Sequence, residues 1–392
     1  MRTTNLTRIA AAAAVVALAA AGCGSKSTPA ASGGTSSSTG AASSSGSSSS
    51  SSASASTSSS SGGTANANFS ACMVTDTGGI DDRSFNASAW AGMQAAEKDG
   101  KAKVQYLQST SENDYVPNIT TLEGRNCNLI VTVGGLMADA TNGQAEAKTS
   151  QNFAIVDHSS SNDKTNKPEP NVHGLQFNTA QGAFLAGYLA AASSKSGVVA
   201  TWGGLNIPPV TIYMDGFYEG VQYYNKAKSK SVKVLGWDES NPSGGSFSKS
   251  FTDTNAGKSL TDGFINQGAD IVFPVAGGAG RGATAAAKGG KAKVIWVDTD
   301  GCTSDADDCS VFLASVTKGI DTAVKKVVED AAAGNFKGGT QDVLDLSNGG
   351  TDLVYGKTLG SSIPSDLQSE ITALKAQITS GAIKINSQSQ PK

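Results

Sequence analysis

One pattern occurs twice in this chain and constrains its fold more than any other feature. Apolar runs bounded by turn residues occur at 71–79 (ACMVTDTGG), 103–109 (KVQYLQS), 127–135 (CNLIVTVGG) and 153–159 (FAIVDHS), with helix-like stretches between them. A second series follows at 197–204 (GVVATWGG), 232–240 (VKVLGWDES), 269–278 (ADIVFPVAGG) and 293–301 (KVIWVDTDG). In each series the third run ends in a glycine pair and the fourth in an aspartate, Asp157 or Asp298. Near-continuous apolar strands alternating with helices imply parallel sheets covered on both faces. The expected fold is therefore α/β, two doubly wound parallel-sheet lobes with a hinge and a central cleft. Ligands bind such sheets beyond the carboxyl ends of the strands, where Asp76, Asp157 and Asp298 fall. Three later stretches, 312–334, 342–356 and 363–381, read as strand then helix, strand, and amphipathic helix, and are expected to cross between lobes. The expected division is 68–180 with part of 312–340 in one lobe, and 181–311 with part of the C-terminus in the other.

The first 67 residues follow different rules. Arg2 and Arg8 begin residues 1–22, an apolar run occupies 9–21, and small residues precede Cys23, which reads as an export leader too short to span a bilayer. AAGC ending at Cys23 resembles a bacterial lipoprotein cleavage box, with Ala20 where leucine is commoner; a plain secretory leader is the alternative. Acylation of Cys23 would give stable anchoring on the extracytoplasmic face of the cell membrane. Residues 24–67 are almost wholly Ser, Gly, Ala and Thr, a composition with too little apolar surface to offset its ordering entropy, and read as a tether. Residues 68–392 form the binding domain. Export favours disulfides for Cys72, Cys127, Cys302 and Cys309, with 72–127 and 302–309 the expected pairs of three possible arrangements.

Composition and motifs exclude several chemistries. With 30 basic and 33 acidic residues the formal charge is −3, which gives no electrostatic case for a nucleic-acid partner. TDTGGIDD superficially resembles the calcium-binding aspartates of nucleoside hydrolases, but aligning its last pair puts Thr75 and Thr77 at the earlier acidic positions, and a one-residue slip points a strand side chain to the other face. Residues 298–308 lack the spacing of a calcium loop, AGKS lacks the earlier glycine of a phosphate loop, and GGAGRG is not GxGxxG. His158 and His173 lack the company of a metal or nucleophile site, so no catalytic residue, metal or cofactor is expected.

A binding protein accounts for the same residues. Strand-end carboxylates accept from hydroxyls, glycines allow close backbone approach, and an aromatic at a helix start can stack on a flat ring. TDTGGIDDRSFNASAWAGMQAA resembles the N-terminal signature of the basic membrane protein family of substrate-binding lipoproteins, a group that includes the purine-nucleoside receptors of bacterial ABC transporters. NLIVTVGGLMADA, NFAIVDHS, VHGLQFNTAQGAFLAGYLAA, WGGLNIPPVTIYMDGFYEGVQYY, SFTDTNAGK and ASVTKGID resemble family segments in the same order. The resemblance implies a type I periplasmic-binding-protein fold, a nucleoside in the cleft, an ABC permease as partner, and a monomer held at the membrane only by its lipid.

Carried over by position, the resemblance has Asp76 accepting from ribose, Phe85 stacking on one face of the base and Phe251 on the other. Asp298 and Lys318 complete the sugar contacts, Gly277 or Gly278 offers backbone, and Asn86 and Asp157 stand near the base. The residues alone leave other readings open. Phe85 at helical spacing with Trp90 and Met93 also fits a core stripe, Asp298 a loop cap and Lys318 a solvated charge, while Phe247 competes with Phe251. Asp81 and Asp82 are expected to cap the helix of Trp90 without touching ligand. The cysteine pair in 301–310 departs from the family pattern and would change the ligand if that loop bordered the cleft. The alternatives are another flat or sugar-like ligand, a sensor without a transporter, and a nucleoside hydrolase.

Overall fold

Two six-stranded sheets account for the paired series of apolar runs. In this computed structural model residues 68–391 are described and belong to one compact unit, so the leader, Cys23 and the tether lie outside the described residues. The chain runs through β1 (Ser70–Thr75), α1 (Phe85–Lys98), β2 (Lys103–Leu107), α2 (Tyr115–Gly124), β3 (Leu129–Val133), α3 (Ala138–Ala147) and β4 (Asn152–Val156). A short ribbon of β5 (Ser161–Asn162) and β6 (Lys167–Pro168) leads to β7 (Val172–Phe177) and α4 (Ala180–Ser193). There follow β8 (Val198–Gly203), α5 (Pro208–Lys228), β9 (Lys233–Leu235), α6 (Thr254–Asn266), β10 (Ile271–Val275), α7 (Arg281–Ala287) and β11 (Lys293–Asp298). The chain ends with α8 (Gly301–Ser304), β12 (Phe312–Lys318), α9 (Ile320–Ala332), β13 (Thr340–Leu344), β14 (Thr351–Tyr355) and α10 (Ser365–Thr379).

The first sheet has the order β13-β7-β4-β3-β1-β2 and is parallel throughout; the second, β14-β12-β11-β10-β8-β9, is parallel except for β14. Alternate residues of each central strand enter different cores, as the two-residue period of a strand requires. Ala71 and Met73 of β1 face α1 and α9, while Cys72 and Val74 face the α2 and α3 side. In the second sheet Phe273 and Ile295 join the core of α4 and α5, and Val272 and Trp296 join that of α6 and α7. Both faces are therefore covered, which is why these strands read as unbroken apolar runs.

The chain changes sheets three times, between Phe177 and Ala180, between Lys318 and Ile320, and between Leu344 and Thr351. Two lobes joined by three such passages can hinge. The ladder from β10 to β11 holds only the pairs Ile271–Lys293 and Val272–Val294, and Pro274 beyond them has no N–H to continue it. The cleft-side ends of β10 and β11 are thus free to line a cavity instead of each other. Cys72 pairs with Cys127 across 55 residues, tying β1 to the start of β3, and Cys302 pairs with Cys309. Among the described residues no helix is long and apolar enough to cross a membrane.

Candidate ligand cleft between the lobes

The strand ends of both sheets converge on one cavity, with about 540 Å³ of empty space including its open mouth. From the first lobe, Asp76 follows β1 and its N–H still donates to Val133 O (3.1 Å), which fixes the residue in the sheet. Its Oδ1 accepts from the Gly78 N–H (3.0 Å) and from Asn86 Nδ2 (2.9 Å). Gly134, at φ 115°, ends β3 beside it; a Cβ there would stand 2.6 Å from Asp76 Oδ2. The first glycine of the pair is therefore demanded both by conformation and by the carboxylate. Burial raises the Asp76 carboxyl above its ordinary range, and its two hydrogen bonds oppose the rise.

Asp82 secures the next element. Its Oδ1 accepts from the N–H groups of Ser84 (2.9 Å) and Ala87 (3.0 Å), and its Oδ2 from that of Asn86 (2.8 Å), so it caps α1 from outside the helix. Burial nonetheless pushes its carboxyl up to about 7, against those same three hydrogen bonds. The cap aims Phe85 and Asn86, the first two helical residues, at the cavity. Phe85 is half-buried and also packs on the first-lobe core, whereas Met93 is wholly within it. Asn86 is 1% exposed and its Oδ1 has no hydrogen-bond partner, an unsatisfied acceptor at the cavity wall.

The second lobe supplies Phe251, Gly277, Asp298 and Tyr213. Phe251 packs where Gly204 lacks a side chain; a Cβ on Gly204 would collide with its ring. Asp298, at the end of β11, accepts from Tyr213 Oη at Oδ1 and from Ser84 Oγ at Oδ2, both at 2.7 Å. Burial and the Asp298 carboxylate push the Tyr213 phenol well above its usual value, so it remains a donor. Between the lobes, Lys318 at the end of β12 places Nζ 2.6 Å from Asp157 Oδ2 and within 5.0, 5.1 and 5.8 Å of the ring centres of Phe85, Phe177 and Tyr213. Burial raises the Asp157 carboxyl, and Lys318 opposes that rise.

Asp157 and Asp298 both have left-handed backbones, φ 67° and 66°. Such conformations are uncommon outside glycine and are held by their surroundings, and here they occupy equivalent strand ends of the two sheets. The matched sequence positions thus become matched cleft positions.

Of the residues expected from sequence, Asp76, Phe85, Asn86, Asp157, Phe251, Gly277, Asp298 and Lys318 all line the cavity. Gly278 does not: the chain has turned and its neighbour Ala279 donates to Phe251 O (2.8 Å). Phe247 also lies off the wall, edge-on to Trp237 at 6.1 Å. Asp82 caps α1 and also lines the cavity, while Asp81 is exposed. No residue of 301–310 lines the cavity, so the cysteine-closed loop does not shape it. Sequence reasoning missed Tyr213, Gly134 and the α5 start at Ile207, Pro209 and Val210. Only the Gly134–Gly135 pair carried a signal, in its match to Gly277–Gly278. Among the described residues no three His, Cys, Asp or Glu side chains gather as a metal site.

Comparisons with known proteins give the family and the fold. Residues 69–389 match the family model Bmp, described as ABC transporter substrate-binding protein PnrA-like. The chain is 32% identical over 342 residues to a Listeria monocytogenes protein named CD4+ T-cell-stimulating antigen, covering 82% of this chain and 89% of that one. It is 30% identical over 343 residues to the ABC transporter nucleoside-binding protein BmpA of Lactococcus lactis, covering 83% and 91%. Among solved structures it is similar to an ABC transporter solute-binding protein from Aeropyrum pernix, with TM-score 0.70, 24% identity and coverage of 81% and 93%. That likeness shows the type I periplasmic-binding-protein fold. The chain belongs to the Bmp family of PnrA-like ABC-transporter substrate-binding proteins.

Proposed function

We propose that the cleft holds a nucleoside, which the protein delivers to an ABC permease from a lipid anchor at Cys23 on the extracytoplasmic side of the membrane. One observation carries the reading: Phe85 from one lobe and Phe251 from the other line a single cavity with the carboxylates Asp76, Asp157 and Asp298. In it the two rings stack on a base, Asp76, Asp298 and Lys318 meet the sugar hydroxyls, and Asn86 offers its unpartnered Oδ1 to a donor on the ligand. The name of the Lactococcus lactis relative supports the same ligand class.

Electrostatics narrows that class. Lys318 is the one cation among the residues lining the cavity and is already paired with Asp157, so a phosphate would enter a partly desolvated space with no free positive charge to compensate it. The account therefore favours nucleosides over nucleotides. A ligand touching both lobes stabilises the closed form by its differential contacts, and closure presents a changed surface to the permease.

Asp298→Asn tests the assignment, because asparagine tolerates the left-handed backbone while removing the charge. Its nucleoside affinity by calorimetry is expected to fall at least about tenfold, the consequence of weakening a charge-assisted contact. Parent-like affinity removes Asp298 from the binding set.

A further inference from the structure

The lobes also meet outside the cavity wall. Arg83 precedes α1 in the first lobe and has a left-handed backbone, φ 57°. Its Nη1 donates to Asp305 Oδ1 in the second lobe, while its carbonyl accepts from Thr299 Oγ1 (3.0 Å) and Trp296 Nε1 (3.4 Å). None of these four residues lines the cavity. Arg83 is followed at once by Ser84, which donates to Asp298, and by Phe85 of the wall.

Asp305 is built for a partner. Its side chain is 1% exposed, its Oδ2 has no hydrogen-bond partner, and Arg281 Nε lies 3.9 Å from that oxygen. The residue lies midway along the loop that Cys302–Cys309 closes, and its N–H donates to Gly301 O (2.8 Å), so the covalent link and the turn preset the carboxylate. Ser304 Oγ lies 2.8 Å from Thr299 Oγ1, joining the loop to the strand end that also holds Arg83. Opening the lobes must separate Arg83 from all of these groups and expose a buried carboxylate.

We propose that Arg83 and Asp305 form a closing latch, a positioning pair that touches no ligand, favours the closed form and sets how long ligand stays. The Cys302–Cys309 loop presents Asp305 to Arg83. A contact made in the closed form and lost in the open one shifts the population between them, and ligand affinity shifts in proportion. The inference rests on the nucleoside reading only for its kinetic readout. Lobe closure itself is measurable without ligand.

The test uses the full exported chain, the isosteric Asp305→Asn, the conservative Arg83→Lys and the pair Cys302→Ser/Cys309→Ser. Stopped-flow release of bound inosine is expected to be about tenfold faster in Asp305→Asn with association unchanged, an interaction lost only from the closed form. Arg83→Lys retains part of the effect because a point charge remains. Cys302→Ser/Cys309→Ser moves release in the same direction as Asp305→Asn. Small-angle scattering of the ligand-free proteins gives a larger radius of gyration for Asp305→Asn than for the parent. Unchanged release together with an unchanged radius overturns the latch. Should no variant or parent bind a nucleoside, the ligand reading fails, and the radius alone decides the latch: larger in Asp305→Asn supports it, equal overturns it.

Discussion

Replacing Lys318 by methionine tests the most consequential polar contact in the cleft. Nζ stands 2.6 Å from Asp157 Oδ2, with the two side chains only 2% and 7% exposed. Removing one member of a buried pair costs about 3–5 kcal/mol, because the remaining charge is left without compensation. Three ring faces lose a cation as well, each worth about 0.5–1 kcal/mol. Asp157 has one way to reduce the loss. Burial already raises its carboxyl and Lys318 holds it down, so without the lysine it takes up a proton more readily. An acid whose folded pKa lies above its unfolded one binds more protons when folded, so its contribution to stability falls as pH rises between the two values. The Lys318→Met defect is therefore largest at about pH 8 and shrinks on acidification, by up to about 1.4 kcal/mol per pH unit. Urea unfolding of the parent, Lys318→Met, Asp157→Asn and the double variant closes a cycle with an expected coupling above about 2 kcal/mol at high pH. A single-variant loss below about 1 kcal/mol, or one equal at both pH values, refutes the reasoning.

Gly134→Ala forces a side chain into φ 115° and against Asp76 Oδ2, and is expected to lower stability by about 2 kcal/mol or more, read from the denaturation midpoint. Removing Cys72–Cys127 as a double alanine variant releases a 55-residue loop in the unfolded chain, an expected loss of about 4 kcal/mol by chain entropy in the same assay. Asp82 and Glu239 are each pushed up to about 7, chiefly by burial, and burial also raises Asp76 and Asp157. The folded protein thus keeps protons that the unfolded chain releases. Its melting temperature is expected to rise as pH is lowered from about 8 to about 5.5, and a fall across that interval contradicts the burial of these acids.

The paired series of strands was legible because sheets covered on both faces leave unbroken apolar runs in the sequence, as in the fully buried Leu129–Val133 and Ile271–Val275. β7 was harder to place: His173 and Gln176 interrupt its pattern, and His173 Nδ1 is satisfied by Lys337 O and Thr340 Oγ1 far along the chain. The strand-end aspartates were legible as equivalents because the two series match in kind and order. Tyr213 was not, since no spacing rule connects one face of α5 to a carboxylate 85 residues later. Phe251 and Phe247 stand four residues apart in a loop without a regular period, and contacts on other segments, Gly204 for Phe251 and Gly203 and Trp237 for Phe247, put one ring on the cavity wall and the other off it. Asp82 shows why assigning one role to one residue fails: its two oxygens serve the helix start while its side chain also forms the wall.

Isothermal calorimetry of the protein, refolded from denaturant to remove any co-purified ligand, tests the central claim most directly. The panel is inosine, guanosine, adenosine, cytidine, free adenine and a nucleoside monophosphate. Stacking discriminates weakly among flat rings, at about 0.5–1.5 kcal/mol, whereas unmade hydrogen bonds to buried carboxylates cost about 1–3 kcal/mol each. The account therefore predicts heat with nucleosides, and little with adenine or the monophosphate. Silence across the nucleosides, or binding of adenine as tight as that of adenosine, would contradict it.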